Sequence, residues 1–152
     1  MLNFTVGPVM SPSEVLEVSA KNAPYFRTPE FSQVMLENER IMLGLLSAPR
    51  NSRCVFLTAS GTGAMEAAVM SVLAPAERVA VVNGGSFGQR FVDLCQLHGH
   101  NVNEIRLEFG RQVTRKNLED AVESGCGALL VNMHETSSGL LYDMRLLSEF
   151  CR

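Results

Sequence analysis

The stretch TASGTGAME, residues 58–66, decides the fold predicted for this chain. It is a small polar loop between an apolar run at residues 54–57 and an apolar helical stretch at residues 64–73. A strand that turns through Ser-Gly-Thr into a helix directs several free backbone N–H groups and two hydroxyl groups at one point. Because that point is the positive end of a helix dipole, the stretch predicts an anion site, and phosphate is its usual occupant.

The composition is that of a single domain with a hydrophobic core. The chain has 152 residues, of which 46% are hydrophobic, and its 13 basic and 16 acidic residues give a net charge of −3. This balance does not favour nucleic acid or an anionic membrane as a partner. The sequence shows neither an apolar run of about 20 residues, which a membrane-spanning helix needs, nor a signal peptide at its start. We therefore expect a cytoplasmic protein with no nucleic-acid or membrane partner.

Four cysteines lie far apart in the sequence, at Cys54, Cys95, Cys126 and Cys151. Each has apolar neighbours, and no two of them have the paired spacing of a zinc site. We expect reduced, buried thiols and no metal site.

Hydrophobic periodicity and capping signals predict two helices followed by alternating strands and helices. Capping boxes are predicted for Ser11 with Glu14 and for Ser86 with Gln89. Alternation of this kind implies parallel βαβ units, and strands without charges, such as residues 79–82, fit a sheet covered on both faces. The predicted helices are residues 11–22, a second helix that begins at 28–30 and ends before 49–52, then 62–73, 86–98, 116–124 and 143–152. The predicted strands are residues 54–59, 78–83, 101–107 and 128–133.

Three polar clusters follow predicted strands, at residues 60–62, 83–88 and 134–139. Ligands of such sheets bind beyond the carboxyl ends of the strands. The three clusters can therefore converge on one ligand.

These clusters, in this order and spacing, resemble the class V aminotransferases, which are fold type I enzymes that use pyridoxal 5′-phosphate (PLP). The likeness covers nearly the whole chain, and within the class it is nearest to 2-aminoethylphosphonate–pyruvate and alanine/serine–glyoxylate transaminases. Phe26 stands where the family has His. The matching segments are VGPV at 6–9, FRTPEF at 26–31, SGTGAMEA at 60–67, NGGSFGQR at 83–90 and HETSSG at 134–139.

The resemblance implies an α/β fold, namely an incomplete PLP-transferase large domain like that of aspartate aminotransferase, with a mainly parallel sheet flanked by helices. Residues 1–50 would form an N-terminal helical segment, and residues 51–152 the truncated N-terminal part of the PLP-binding domain. The family builds its active site across a dimer, so the full-length parent is expected to be a homodimer. The implied partners are a small-molecule amino donor and a 2-oxo acid acceptor.

The resemblance also assigns the cofactor phosphate to the first polar cluster. The N–H groups of Gly61 and Thr62 and the hydroxyls of Ser60 and Thr62 would hold it. From the residues alone, an ordinary helix cap is the favoured explanation of Ser60.

Other site residues follow from the later motifs. Phe87 would stack on the cofactor ring, or pack in the core on an apolar helix face. Thr136 would contact the ring oxygen, or belong to a helix-entry turn rich in Ser and Thr. Gly7 would let the backbone approach a substrate carboxylate, or simply turn the chain. His134 is explained as a structural histidine.

The parent activity implied is transfer of an amino group from 2-aminoethylphosphonate, alanine or serine to pyruvate or glyoxylate. The family's Schiff-base lysine and the aspartate that pairs with the pyridine nitrogen correspond to positions beyond residue 152. The two lysines of the chain, Lys21 and Lys116, lie outside the three clusters. We therefore expect no catalytic residue here and no activity from the chain alone. Two alternatives stay open: a non-catalytic α/β module that binds a phosphorylated ligand, and a half-enzyme completed by another chain.

Overall fold

The computed structural model describes residues 2–3, 5 and 7–152, so Val6 of the VGPV segment lies outside the described residues. The chain forms two compact units, an N-terminal unit (Met1–Thr58) and a C-terminal unit (Ala59–Arg152). The division into a helical segment before residue 51 and part of a PLP-binding domain after it stays a proposal.

The main element of the N-terminal unit is a 17-residue helix that begins where the sequence predicts. The Thr28 hydroxyl accepts a hydrogen bond from the Phe31 N–H at 3.2 Å, and Pro29 occupies the first helical position. Proline suits that position because its missing N–H would have no partner within the helix. The two helices of this unit are α1 (Ser13–Ser19) and α2 (Pro29–Leu45).

Helix α1 is shorter than the predicted helix over residues 11–22, and its predicted capping box is wrong. Pro12 occupies the cap position, and no side chain caps the helix. The Ser13 hydroxyl instead donates to the neighbouring Glu14 carboxylate at 3.1 Å. The capping interaction predicted for Ser11 is thus absent.

The strand predicted at residues 54–59 is also wrong. A strand exists only where a neighbour accepts and donates its backbone hydrogen bonds, and no strand pairs with this segment among the described residues. Its first N–H, that of Cys54, donates to the Glu39 carboxylate of α2 at 3.0 Å. Val55 and Leu57 are more than half exposed. The run has the composition of a strand without the pairing that makes one.

The C-terminal unit alternates strands and helices as predicted and adds a short hairpin that was not predicted. Its helices are α3 (Gly61–Val72), α4 (Ser86–Leu97), α5 (Arg115–Glu123) and α6 (Met144–Phe150). Its strands are β1 (Arg78–Asn83), β2 (Asn101–Arg106), β3 (Ala128–Leu130), β4 (His134–Glu135) and β5 (Leu140–Leu141).

Strand β1 lies at the centre of a parallel three-stranded sheet with the order β2-β1-β3. Its side chains alternate between two hydrophobic clusters, one on each face of the sheet. Val79 and Val81 pack with α3 and α4, whereas Ala80 and Val82 pack with α5, α6 and Tyr142. The prediction of a parallel sheet covered on both faces is confirmed, and this burial fixes the register of β1.

Helix α4 lies directly on the end of β1. A Cβ atom at Gly88 would come within 2.7 Å of the Asn83 Cα and of the Val82 carbonyl oxygen. Only a glycine permits this approach. The start of α4 is therefore held close to the carboxyl end of the sheet, where the site residues lie.

All four cysteines are free, and Cys95 is buried, which raises the pKa of its thiol. Cys151 is exposed, contrary to the expectation of buried thiols, because α6 ends at Phe150.

No helix in the described part of the chain is both long enough and apolar enough to span a membrane.

We predict that the apolar surface of α2 makes the chain self-associate. No residue of α2 is buried, and Val34, Leu36, Ile41 and Leu45 are all more than half exposed. Exposed apolar surface of this extent favours association. Light scattering after size-exclusion chromatography should show a mass that rises with concentration. Leu45→Lys should lower that mass, while the control Gln33→Lys, at an exposed polar position of the same helix, should not; a monomer at every concentration contradicts the prediction.

Candidate functional site

The first predicted site residues lie at the start of α3. The Ser60 hydroxyl accepts from the Gly63 N–H at 3.2 Å, and the Ser60 carbonyl accepts from the Ala64 N–H at 3.1 Å. Ser60 is thus the cap of the helix, as one of the two interpretations proposed. Its hydroxyl oxygen accepts this bond, while its hydrogen has no acceptor among the described residues, so the hydroxyl can still donate to an anion together with the groups of Gly61 and Thr62.

The N–H groups of Gly61 and Thr62 donate to no acceptor among the described residues. Both lie in the first turn of α3, where an N–H has no partner within the helix. A Cβ atom at Gly61 would meet no described atom within 4 Å, so the space beside it is open. Two unpaired donors at a positive helix end, beside open space, are suited to an anion.

The start of α4 differs, because a carboxylate of the chain itself occupies it. The Glu135 side chain is fully buried, and its two oxygens accept from the Phe87 N–H at 3.3 Å and from the Gly88 N–H at 2.9 Å. The Ser137 hydroxyl accepts from the Ser86 N–H at 3.0 Å and donates to Glu135 at 2.6 Å. The first three N–H groups of α4 are thereby satisfied by one hairpin.

The capping box predicted for Ser86 and Gln89 is therefore wrong. Gly85 occupies the cap position, and the helix has no cap from a neighbouring side chain in the sequence. A Cβ atom at Gly85 would collide with the Ser137 hydroxyl oxygen and would lie 2.7 Å from the Glu135 carboxyl carbon. The glycine leaves room for a cap that comes from about 50 residues further along the chain.

The electrostatics of Glu135 follow from these contacts. Burial alone raises the pKa of a carboxyl group, but the hydrogen bonds from the Ser137 hydroxyl and from three backbone N–H groups outweigh it. The pKa of Glu135 is consequently lowered below its ordinary value. Glu135 is therefore an ionised carboxylate at neutral pH, and it neutralises the positive end of α4.

Thr136 lies in the turn that joins β4 to β5, directly after Glu135. The Glu135 carbonyl accepts from the N–H groups of Ser138 and Gly139 at 3.1 and 2.9 Å, and Gly139 has a φ of 71° that suits a glycine. The predicted strand over residues 128–133 ends at Leu130, and a hairpin follows it. Thr136 thus lies in a hairpin turn rather than at a helix entry, and the hairpin is bonded to the start of α4.

Phe87 belongs to neither hydrophobic cluster of the described residues, although Phe91, Leu94 and Cys95 of the same helix are buried in one. It is partly buried, and the guanidinium carbon of Arg90 lies 4.8 Å from the centre of its ring. Arg90 also donates to the Thr62 hydroxyl oxygen at 2.7 Å. One arginine therefore connects the predicted ring platform to the predicted phosphate site.

Five of the six predicted site residues lie in the C-terminal unit, and two links join their elements. Arg90 links α3 to α4, and Glu135 with Ser137 links α4 to the β4–β5 hairpin. Gly7 lies in a bend of the N-terminal unit and is exposed. No described atom beyond its chain neighbours lies within 4 Å of a Cβ placed on Gly7, and its role stays a proposal.

Four residues that contribute to this region were not predicted from the sequence: Arg90, Glu135, Ser137 and Tyr142. The first three lie inside the motifs quoted above, and the available signal was a charged residue next to Ser and aromatic residues. Tyr142 carried no signal, because a tyrosine after an apolar run is common. It is buried, and burial together with the negative charge of Glu135 raises the pKa of its hydroxyl. A Cβ atom at Gly84 would collide with the Tyr142 hydroxyl oxygen, so Gly84 is needed for that packing.

The chain is similar in sequence to several larger proteins, among them aminotransferases. No family model matches the chain. It is 32% identical over 142 residues to the soluble hydrogenase 42 kDa subunit of Anabaena cylindrica, which covers 91% of this chain and 37% of that protein. It is 28% identical over 149 residues to the L-aspartate–glyoxylate aminotransferase of Paracoccus denitrificans, which covers 93% of this chain and 36% of the relative.

A solved structure shows the same fold. The aspartate aminotransferase of subgroup IV from Thermus thermophilus has a TM-score of 0.86 and 32% identity, over 96% of this chain and 40% of that one. The chain spans about two fifths of the length of the curated relatives it matches. The relatives described as aminotransferases and the structural neighbours belong to class V, and the chain matches their N-terminal portion. The predicted resemblance and the predicted PLP-transferase fold are confirmed.

We predict that Glu135→Gln destabilises the C-terminal unit and removes part of its acid sensitivity. An amide places a donor where the carboxylate accepts from N–H groups, which costs about 1–3 kcal/mol. Because the pKa of Glu135 is lower in the folded state, its stabilisation is fully present above the unfolded-state pKa of about 4.3 and is lost as the pH falls through the folded value.

The measurement is urea denaturation between pH 3 and pH 7. Wild type should lose stability more steeply than the variant in the acid range. Glu123→Gln, an exposed glutamate at the end of α5, is the matched control and should follow wild type. Equal unfolding free energies for Glu135→Gln and wild type at pH 7 would show that the carboxylate is not the cap described here.

Proposed function

We propose, for a chain that matches the N-terminal portion of the class V aminotransferases, that its C-terminal unit forms the phosphate end of a PLP site. The observation that supports this most directly is the difference between the two helix starts. The donors of α4 are filled by Glu135, whereas the N–H groups of Gly61 and Thr62 at the start of α3 have no acceptor among the described residues. A phosphate dianion therefore has one ready position in this region.

The residues present fit the phosphate and the ring of the cofactor, but not its covalent attachment. Gly61 and Thr62 would donate to the phosphate, Phe87 would stack on the ring, and Thr136 would contact the ring oxygen. When bound, PLP supplies the electron sink for amino transfer. The task of these residues is to bind and orient; none of them is placed as an acid, a base or a nucleophile.

The charge of this region supports the binding of an anion. Thr62 receives a hydrogen bond from Arg90, and the α3 dipole adds positive potential at the same end. Glu135 places a negative charge at the start of α4 instead, but that charge is buried under its own hydrogen bonds. The phosphate would therefore be attracted to α3 and would be repelled from α4.

We propose that the full-length protein transfers an amino group from a small amine or amino acid, such as alanine, serine or 2-aminoethylphosphonate, to glyoxylate or pyruvate. One relative is described as an aminotransferase of aspartate and glyoxylate, which supports a 2-oxo acid as acceptor. We further propose that the full-length protein is a homodimer. Gly7 is proposed to lie against the substrate carboxylate.

We predict weak, non-covalent binding of the cofactor phosphate by this chain. The probe is pyridoxine 5′-phosphate, whose alcohol cannot form an imine with lysine. Each charge-assisted hydrogen bond contributes about 1.5–3 kcal/mol, so Thr62→Val should lower the affinity at least about tenfold. Thr62→Ser keeps the hydroxyl and should bind like wild type. Calorimetry or an NMR titration measures the dissociation constants; equal affinity of wild type for pyridoxine 5′-phosphate and pyridoxine would remove the phosphate site.

We predict no transaminase turnover by the purified chain. Lys116 is exposed on α5 and pairs with Asp120 at 3.0 Å, and the only other lysine, Lys21, lies in the N-terminal unit. The measurement is formation of the new amino acid from alanine, serine, aspartate or 2-aminoethylphosphonate with pyruvate or glyoxylate and added PLP. Repeated turnover, abolished by Thr62→Val, would contradict the prediction. Binding of pyridoxine 5′-phosphate without turnover is the result expected of the non-catalytic module and of the half-enzyme as well.

A further inference from the structure

Arg90 contacts two residues that the proposed function places in the site. Its Nη1 donates to the Thr62 hydroxyl oxygen at 2.7 Å, and its guanidinium carbon lies 4.8 Å from the centre of the Phe87 ring. Phe87 and Arg90 are three residues apart on α4, so both side chains lie on the same face of the helix. Arg90 is partly buried, and it reaches across from α4 to the first turn of α3.

The chemistry of the two groups fixes the direction of their hydrogen bond. A guanidinium group carries only donors, so the Thr62 oxygen must be the acceptor. The hydrogen of the Thr62 hydroxyl must then point to a different partner, and among the described residues none accepts it. The hydroxyl is therefore held as a donor at the start of α3, beside the N–H groups of Gly61 and Thr62.

The charge of Arg90 is not compensated by a carboxylate of the described residues. The seven ion pairs that Lys and Arg form in this part of the chain involve other cations, such as Arg106 with Glu104. A guanidinium on an aromatic face gains from the ring quadrupole. Phe87 thus holds the arginine in place, and the arginine polarises the Thr62 hydroxyl so that it donates more strongly.

We propose that Arg90 is a positioning residue of the cofactor site: it sets the Thr62 hydroxyl as a donor to the phosphate and keeps the Phe87 ring in register with that donor. The proposal rests on the proposed function of this region. It predicts that Arg90 and Thr62 contribute to phosphate affinity through the same hydrogen bond.

A double-mutant cycle with pyridoxine 5′-phosphate as the ligand tests whether Arg90 and Thr62 act through one shared hydrogen bond. Arg90→Met and Thr62→Val should each weaken binding about tenfold, and the double variant should be no more than about tenfold weaker than wild type, because both changes remove one interaction. Arg90→Lys keeps a charged donor and should recover most of the affinity. A double variant about a hundredfold weaker than wild type, the result for independent residues, would overturn the proposal.

A second measurement needs no ligand and separates this proposal from the proposed function. The NMR chemical shift of the Thr62 methyl group and its χ1 couplings report the orientation of the hydroxyl. Arg90→Met and Arg90→Gln should change both, whereas Arg106→Met, which removes an arginine paired with Glu104, should change neither. If the Thr62 methyl shift and χ1 couplings are unchanged in folded Arg90 variants, Arg90 does not position Thr62. If these values do change but wild type fails to bind pyridoxine 5′-phosphate, the proposed function is wrong and the contact between Arg90 and Thr62 is still supported.

Discussion

The buried carboxylate of Glu135 at the start of α4 is the interaction on which the rest of the site depends. It satisfies the N–H groups of Phe87 and Gly88 and, through Ser137, that of Ser86. Without these partners, several N–H donors at the start of the helix would have no acceptor, and each would lower the free energy of unfolding. The same contacts attach the β4–β5 hairpin to the start of α4, so the position of Thr136 follows from how α4 is capped.

This cap also decides where an external anion can bind. Two helices begin at the same end of the sheet, and each offers a positive pole and unpaired donors. At α4 the chain supplies its own anion, while at α3 the Ser60 side chain satisfies only the Gly63 N–H. The free donors of Gly61 and Thr62, with Arg90 behind the Thr62 hydroxyl, leave α3 as the position for a phosphate. Because Glu135 occupies the start of α4, the start of α3 is the position proposed for the phosphate.

Most of the fold could be predicted from the sequence, because its signals are local. The bounds of β1, those of α3 to within one residue, and the start of α2 follow from hydrophobic periodicity and from caps by adjacent residues. Two of the errors arise from dependence on distant partners, whereas the missing Ser11 cap of α1 is a local error. Residues 54–59 have the composition of a strand but lack a neighbour, and the cap of α4 comes from residues 135 and 137 rather than from Ser86. The role of Arg90 could not be predicted either, since its contact with Thr62 joins residues 28 positions apart.

An NMR titration of the 152-residue chain with inorganic phosphate tests the central claim most directly. Backbone amide shifts report, residue by residue, which helix start receives the anion. The account predicts saturable changes at the amides of Gly61 and Thr62, with the amides of Phe87 and Gly88 unaffected at the same phosphate concentration. Saturable changes at Phe87 and Gly88 with none at Gly61 and Thr62 would contradict it, because they would mean that the start of α4 is open to solvent anions and that Glu135 does not fill it.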